Sequence, residues 1–167
     1  MRNRLSRSFF QSPTIQVAQD LLGKRLVFQE FSGIITETEA YHQDGDPACH
    51  AYRGKTPRCT PMFGPAGYSY VYFIYGMYHC LNIVTEAEGI GAAVLIRGLQ
   101  LDTINLNGPG KLCRHLAITK DQNAIDLITS PNFYVCETGI NPPFKATPRI
   151  GIRQGTDKLW RFVVSRD

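Results

Sequence analysis

Two runs rich in tyrosine flank the dipeptide Gly76-Met77, and they constrain the fold of this chain more than any other feature. Residues 68–75 and 78–85 have the aromatic and β-branched composition of strands, and a two-residue connection with glycine first is typical of a type II′ turn. The pattern predicts a protruding β-hairpin with Tyr75, Met77 and Tyr78 at an exposed tip. Such a tip either stabilises the hairpin by cross-strand packing or forms a wedge that inserts between bases.

A second strand pattern carries two carboxylates. Residues 24–31 and 33–41 are predicted to be strands around a turn at Ser32-Gly33. Alternation places one set of side chains on a single face: Ile35, Glu37, Glu39 and Tyr41. Like charges two residues apart on one face are unfavourable unless one is protonated or has a cationic partner. The face is therefore either an exposed acidic edge or a chemical site.

The remaining pattern alternates short helices with strands. Ser12-Pro13 predicts the start of a helix that ends at Gly23, and Gly108-Pro109-Gly110-Lys111 predicts a second helix whose N-terminus could bind an anion. Further strands are predicted at residues 92–99, 133–136, 149–152 and 159–164, and a long ordered loop at residues 42–67. The second helix is predicted to bury Leu112, Leu116 and Ala117. This order predicts one α+β domain over residues 1–167, with a curved, mostly antiparallel sheet and flanking helices.

The charge is unevenly distributed. The 167 residues carry a net charge of +4, with five basic residues against one acidic residue in 1–25 and six against two in 145–167. No acidic residue lies between Asp46 and Glu86, a window that contains Arg53, Lys55 and Arg58 among many aromatic residues. Basic and aromatic side chains in alternation suit nucleic acid, whereas the simpler interpretation is a tyrosine-rich strand pair with solvated charges.

Several function classes are disfavoured. The five cysteines include no Cys-x-x-Cys pair and no zinc-ligand spacing, so we expect reduced thiols and no metal site. No apolar run approaches the ~20 residues that cross a bilayer, and the basic N-terminus lacks the apolar segment of a signal peptide. We therefore expect no membrane partner and a cytoplasmic location, associated with the nucleoid if the source is bacterial.

Nine short motifs in order carry a family resemblance. They are Thr36-Glu37-Thr38-Glu39-Ala40-Tyr41, His50, Thr56-Pro57-Arg58, Met62-Phe63, Tyr70-Val71-Tyr72, Tyr75-Gly76-Met77-Tyr78, Asn82-Ile83, Leu95-Ile96-Arg97 and Gly108-Pro109-Gly110-Lys111 with Leu112-Cys113. Over residues 5–164 the chain resembles the alkyladenine (3-methyladenine) DNA glycosylases of the mammalian type. The segment between Arg97 and Gly108 is shorter than is usual in that family.

The resemblance implies a monomeric, monofunctional enzyme that acts on double-stranded DNA. It would flip a damaged purine out of the duplex and hydrolyse the N-glycosidic bond, leaving an abasic site. The implied substrates are 3-methyladenine, 7-methylguanine, hypoxanthine and ethenoadenine, and no cofactor or metal is implied.

The resemblance also assigns roles to individual residues. Glu39 would be the general base that activates water, and Arg97 would help to hold that water as the charge partner of Glu39. The walls around the flipped base would be Tyr41, His50 and Tyr72, and Asn82 would exclude guanine. Tyr75 would fill the gap in the base stack, with Met77 and Tyr78 beside it. The DNA backbone would be contacted by Arg53, Lys55, Arg58 and Lys111. Glu37 receives no role.

These roles set a condition on the hairpin. A strict two-residue turn pairs Tyr72 with Leu81 and sends Tyr72 and Asn82 to opposite faces of the sheet. If both line one pocket, a bulge or a three-residue loop must lie between them, and we expect one.

Two other functions fit parts of the sequence. A non-catalytic nucleic-acid-binding protein would keep the basic segments and the hairpin tip without needing Glu39. A hydrolase of free nucleosides or another glycoside would need the two carboxylates but not the tip.

Overall fold

The computed structural model describes residues 3–165, and their strands form one curled antiparallel sheet. The strands are β1 Arg25–Phe28, β2 Phe31–His42, β3 Ser69–Ile74, β4 Tyr78–Val84, β5 Ala92–Gln100, β6 Asn105–Asn107, β7 Phe133–Cys136, β8 Phe144–Thr147 and β9 Arg161–Val164. The main order is β3-β4-β5-β2-β1-β7, with β6 paired to β5 and β9 paired to both β2 and β8. Arg2 and Arg166, which belong to the basic terminal segments, lie outside the described residues.

The helices pack against the sheet through a shared apolar core. They are α1 Arg7–Phe10, α2 Thr14–Asp20 and α3 Pro109–Leu116, with short 3₁₀ helices at Thr60–Phe63 and Lys120–Gln122. Apolar residues of α2 and α3 join the main core with residues of β2, β4 and β5. The predicted fold class, α+β with a curved antiparallel sheet, is confirmed. No helix among residues 3–165 is both long and apolar enough to span a bilayer.

The helices differ from the prediction in three details. The sequence did not indicate α1. The helix predicted to start at Ser12-Pro13 and end at Gly23 is shorter: α2 has its N-cap at Pro13 and ends at Asp20. Ala117, predicted on the inner face of the second helix, is exposed because it ends α3 in a left-handed conformation with φ 60°.

The turn between β1 and β2 lies three residues before its predicted position. Phe28 pairs with Phe31, so the connection is Gln29-Glu30, and Gln29 has φ 54°. The predicted turn residue Gly33 lies inside β2, where an added Cβ would come within 2.9 Å of the Leu99 side chain. This glycine permits close packing of neighbouring strands and does not form the turn.

The pairing of β2 with β5 is irregular at one place. The register shifts between Ile35 and Glu37 and again between Glu37 and Thr38. Gly98 lies opposite, where an added Cβ would meet the Thr36 hydroxyl at 2.6 Å. The predicted common face is therefore wrong for Ile35, which packs in the main core, because the irregularity interrupts the alternation before Glu37.

The β3–β4 hairpin has a three-residue connection. Ile74 pairs with Tyr78, and the Met77 N–H donates to the Ile74 carbonyl at 3.0 Å. Tyr75 and Gly76 both have positive φ, 55° and 61°. The two-residue turn at Gly76-Met77 is therefore wrong, whereas the irregularity expected between Tyr72 and Asn82 is confirmed.

The strand predicted at residues 149–152 is a loop. Arg149 is buried there, and its guanidinium donates to the Gly155 carbonyl at 3.2 Å, which closes the segment on itself. The additional strand in this part of the chain is the earlier segment Phe144–Thr147 (β8), which pairs with β9. The predicted strand at residues 133–136 matches β7.

Candidate active site

A cavity of about 410 Å³ opens beside β2, β3, β4 and β5, a size typical of ligand pockets. It brings together eight residues to which the family resemblance assigned roles: Glu39, Tyr41, His50, Tyr72, Tyr75, Tyr78, Asn82 and Arg97. The hairpin register makes this convergence possible, because Tyr70 pairs with Asn82 and Tyr72 with Cys80, so all four side chains share one face.

Glu39 lies at the wall of this cavity with no exposed surface of its own. The Tyr41 hydroxyl donates to Oε1 at 2.7 Å, and the Ile150 N–H donates to Oε2 at 2.9 Å. Burial raises the pKa of the Glu39 carboxyl, although both hydrogen bonds and the charges of Arg97 and Arg149 act in the opposite direction. A buried carboxylate with lone pairs to spare is suited to accept a proton from water.

Arg97 is shared between two carboxylates. Its Nε lies 2.9 Å from Glu37 Oε2 and 3.8 Å from Glu39 Oε2. Glu37 Oε2 also accepts from Arg161 Nε at 2.7 Å. Arg97 is therefore within ion-pair distance of Glu39, as expected, and it lies closer still to Glu37, which fixes it at the cavity wall.

The aromatic walls are uncharged at neutral pH. Burial, with a contribution from the Arg58 charge, lowers the pKa of His50 to about 4. The His50 Nδ1 lies 2.9 Å from the Tyr70 hydroxyl, and the ring centroids of His50 and Tyr72 are 4.6 Å apart. Burial raises the pKa of the hydroxyls of Tyr41, Tyr70 and Tyr72. The cavity therefore offers neutral ring faces.

Asn82 is fixed in one orientation. It is 3% exposed, and its Nδ2 donates to the Tyr70 carbonyl at 3.1 Å. A rigid amide at the wall restricts the shape of any group that enters beside it.

The hairpin tip stands at the mouth of the cavity. Tyr75 and Met77 are 69% and 71% exposed, and the rings of Tyr75 and Tyr78 lie 6.3 Å apart, edge to face. Tyr75 and Tyr78 line the cavity, whereas Met77 does not. Tyr78 packs on α3 at Gly110, where an added Cβ would come within 2.7 Å of the ring.

The four residues predicted to contact a DNA backbone are exposed and lie outside the cavity lining: Arg53, Lys55, Arg58 and Lys111. Arg58 also stacks over the Tyr72 ring at 5.3 Å and donates to the Phe73 carbonyl at 3.4 Å. Arg58 therefore connects the exposed basic loop to the cavity wall.

Sequence reasoning missed one whole wall, the loop of residues 150–154. Gly151 within this loop and Gly155 directly after it have φ 78° and 66°, and this glycine spacing was the available signal for a loop. Tyr70 was also missed as a lining residue. Within residues 3–165, no three His, Cys, Asp or Glu side chains are grouped so that they could hold a metal ion.

Comparison with known proteins shows the family of this chain. The model of the methylpurine-DNA glycosylase family matches residues 8–167. The chain is 62% identical to a protein of Sodalis glossinidius over 161 residues, 95% of each chain. It is 59% identical to a protein of Wolbachia pipientis wMel over 161 residues, 95% of this chain and 89% of that protein. It is 55% identical to a protein of Rickettsia rickettsii (strain Sheila Smith) over 164 residues, 96% of this chain and 90% of that protein.

All three relatives carry the name "Putative 3-methyladenine DNA glycosylase". The family match covers nearly the whole chain, including every cavity residue named above. The chain belongs to the methylpurine-DNA glycosylase family and is a DNA glycosylase, a hydrolase of N-glycosyl bonds.

Proposed function

We propose that this chain acts as a monomer and a single glycosylase domain that removes alkylated or deaminated purines from double-stranded DNA. The proposed substrates are 3-methyladenine, 7-methylguanine, hypoxanthine and ethenoadenine. The observation that carries the proposal is the placement of Glu39, a fully buried carboxylate inside an aromatic-walled cavity beside an exposed hairpin tip.

In the proposed reaction Glu39 activates a water molecule for attack on C1′ of the flipped nucleotide. The water oxygen bonds to C1′, the C1′–N bond breaks, and its electron pair leaves with the purine. Glu39 accepts the water proton as the sugar gains oxocarbenium character, which is the logic of inverting glycoside hydrolysis. Arg97, fixed by Glu37, lines the cavity where it can help to hold the water.

The walls of the cavity support preference for damaged bases. Tyr41, His50 and Tyr72 present neutral ring faces, and electron-poor or cationic purines stack well on such faces. A cationic purine also leaves as a neutral molecule, so we expect 3-methyladenine to be excised more readily than hypoxanthine. The fixed amide of Asn82 would disfavour the exocyclic 2-amino group of guanine. 7-Methylguanine carries the same group, but its positive charge weakens the glycosidic bond and offsets that penalty.

The carrying test is single-turnover excision from a duplex containing one lesion, followed by hot alkali to break abasic sites. After incubation with wild-type protein, we expect alkali to break the strand at 3-methyladenine or hypoxanthine, well above the breakage that alkali causes without protein. Glu39→Gln should slow excision by about 10²–10⁴-fold, the usual contribution of a general base. Binding to duplex DNA with an abasic-site analogue should change little, because the cavity shape is kept.

Glu30→Gln is the matched control, since Glu30 is an exposed glutamate in the β1–β2 turn, and it should excise normally. Near-normal turnover by Glu39→Gln would remove Glu39 from the role. Absence of strand breaks with all four lesions would contradict the proposed substrates.

A further inference from the structure

Behind the cavity lies an ion pair that the proposed reaction does not use. Arg149 Nη2 lies 2.7 Å from Asp46 Oδ1, and Nη1 lies 2.7 Å from Oδ2, so the contact is a two-pronged fork. Both side chains are completely buried, and neither lines the cavity. A buried pair is costly to desolvate and is weak evidence for stability, so its placement needs another reason.

Arg149 contacts two neighbouring residues of β2, the strand that carries Glu39. Its Nη1 donates at 2.9 Å to the carbonyl of Ala40, the residue between Glu39 and Tyr41. Its guanidinium also lies 4.7 Å from the centre of the Tyr41 ring. Because Arg149 is not among the residues that line the cavity, it supports the Tyr41 ring from outside the cavity.

The same guanidinium holds the loop that follows it. Nη2 donates to the Gly155 carbonyl at 3.2 Å, and the residue after Arg149 is Ile150, whose N–H bonds to Glu39. The fit is tight, because an added Cβ at Gly155 would lie 2.8 Å from Nη2. Arg149 thus fixes both ends of the loop that supplies one of the two hydrogen bonds to the carboxylate.

Asp46 anchors the opposite wall. Its Oδ2 accepts from the His42 N–H at 3.2 Å, and its Oδ1 accepts from the Ala48 N–H at 3.2 Å. These bonds set the start of the loop that carries Pro47, Ala48 and His50 into the cavity lining. The pair therefore joins three separate walls of the cavity.

We propose that Arg149, locked by Asp46, is the positioning residue of the site: it holds the Ile150 N–H on Glu39 and supports Tyr41 behind the flipped base. This inference rests on the proposed role of Glu39 as the base. Arg149 touches neither substrate nor water in this assignment, and it acts through Ile150, Ala40 and Tyr41 and through its charge.

Several groups face Glu39. Tyr41 faces it from its own strand, Arg97 from β5, Cys80 from β4, and Ile150 and Arg149 from the loop, with the Glu37–Arg161 pair adjacent. The Ile150 hydrogen bond and the Arg149 charge both hold the Glu39 pKa down against burial. Their loss should raise that pKa further. A base works only when deprotonated, so the acidic limb of the excision profile should move to higher pH.

The test compares three proteins with wild type. The double variant Asp46→Asn/Arg149→Gln replaces the charges by a neutral amide pair, so that no unpaired charge is left buried. Arg149→Lys keeps the charge but loses the fork. The matched control Asp126→Asn/Arg7→Gln alters another ion pair, with the Arg7 and Asp126 side chains 32% and 16% exposed, that lies outside the cavity lining.

Single-turnover excision is measured against pH with folded protein counted by binding to abasic-analogue DNA. We expect both Arg149 variants to lose about 10–100-fold in rate at neutral pH, as displaced catalytic groups do, with analogue binding kept within a few fold. The midpoint of the acidic limb should rise in the double variant and stay at the wild-type value in the control.

An unchanged midpoint in a folded double variant would overturn the inference, as would a rate that falls only in proportion to the folded fraction. Failure of both variants to fold would also overturn it, because the pair would then serve the whole fold and not the site. These outcomes are distinct from failure of the proposed function, in which Glu39→Gln would retain the wild-type pH profile.

Discussion

The two oxygens of Glu39 are held by donors of different kinds. Oε1 accepts from a side chain two residues away on the same strand, and Oε2 accepts from a backbone N–H 111 residues away. The first donor, Tyr41, is also a proposed wall of the base pocket. One residue therefore couples the wall that stacks on the purine to the carboxylate that would activate water.

This coupling predicts a specific effect of Tyr41→Phe. The ring remains, so binding of the damaged base should change little, but the hydroxyl that lowers the Glu39 pKa is lost. The acidic limb of single-turnover excision should move to higher pH, with the plateau rate reduced only modestly. Tyr72→Phe is the control, because the Tyr72 hydroxyl bonds to Cys80 and does not contact Glu39. Identical pH profiles for wild type and Tyr41→Phe would refute the coupling.

At the scale of residues, the family resemblance predicted which side chains meet in the cavity better than it predicted their bonding partners. Arg97 pairs with Glu39 as expected, but its closer pairing with Glu37 was not expected. The Ile150 N–H and the Arg149–Asp46 pair could not be predicted, because backbone donors carry no residue-specific signal and these contacts span more than 100 positions. Local patterns hold no record of which distant loop closes over a strand.

Among the elements, the β3–β4 hairpin combines an exposed tip with unusual backbone. A positive φ is uncommon for a residue other than glycine and costs about 1–3 kcal/mol. Tyr75 has φ 55°. Such strain persists where the surroundings or the function require it. The three-residue loop also places Tyr75 at the cavity mouth with most of its ring exposed.

Tyr75→Ser tests whether this tip acts as a wedge. The variant should slow excision of a lesion paired in a duplex, because the flipped state loses the side chain that fills the gap. A lesion opposite an abasic analogue, already unpaired, should be excised at nearly the wild-type rate. Ile140→Ser is the control, since Ile140 is an exposed apolar residue that lies outside the hairpin and the cavity lining. Equal losses on both substrates would place Tyr75 in the pocket instead.

Elements with a single strong signal were predictable, and those shaped by distant packing were not. The apolar run at β5 and the strand at β7 were found within one residue of their bounds. The β1–β2 turn was misplaced because Gly33 resembles a turn glycine, although its purpose is contact with Leu99. The strand predicted at residues 149–152 was wrong because its alternating apolar residues belong to a loop held by Arg149.

For the molecule as a whole, the four exposed basic residues expected to contact the DNA backbone lie in two places. Arg53, Lys55 and Arg58 lie in one loop, and Lys111 lies in the first turn of α3. Each phosphate contact releases counterions, so binding should weaken steeply as salt rises.

Lys55→Ala and Lys111→Ala should each weaken binding to all duplexes by a similar factor, damaged or undamaged. The slope of log K against log salt should fall by about 1 in magnitude for each variant. Fluorescence anisotropy at several salt concentrations measures both quantities, with exposed Lys120→Ala as the control. Unchanged slopes would remove these two residues from the DNA interface.

The overall class was predictable but the strand order was not. Alternating short helices and strands indicated α+β, yet β2 pairs with β1, β5 and β9, drawn from both ends of the chain. Neighbours in such a sheet are selected by packing of the main core across long separations, which no local window contains.

The irregular step beside Gly98 has a consequence for how this enzyme tolerates change. Upstream of that step β2 buries Ile35 within the main core, and downstream it turns Glu39 toward the cavity. Removing one amino acid there would preserve the strand pattern of β2. It would, however, turn Glu39 toward the main core and Ala40 toward the cavity. Insertions and deletions in this stretch should therefore be far more damaging than most single replacements, because they change the face of β2 on which Glu39 lies.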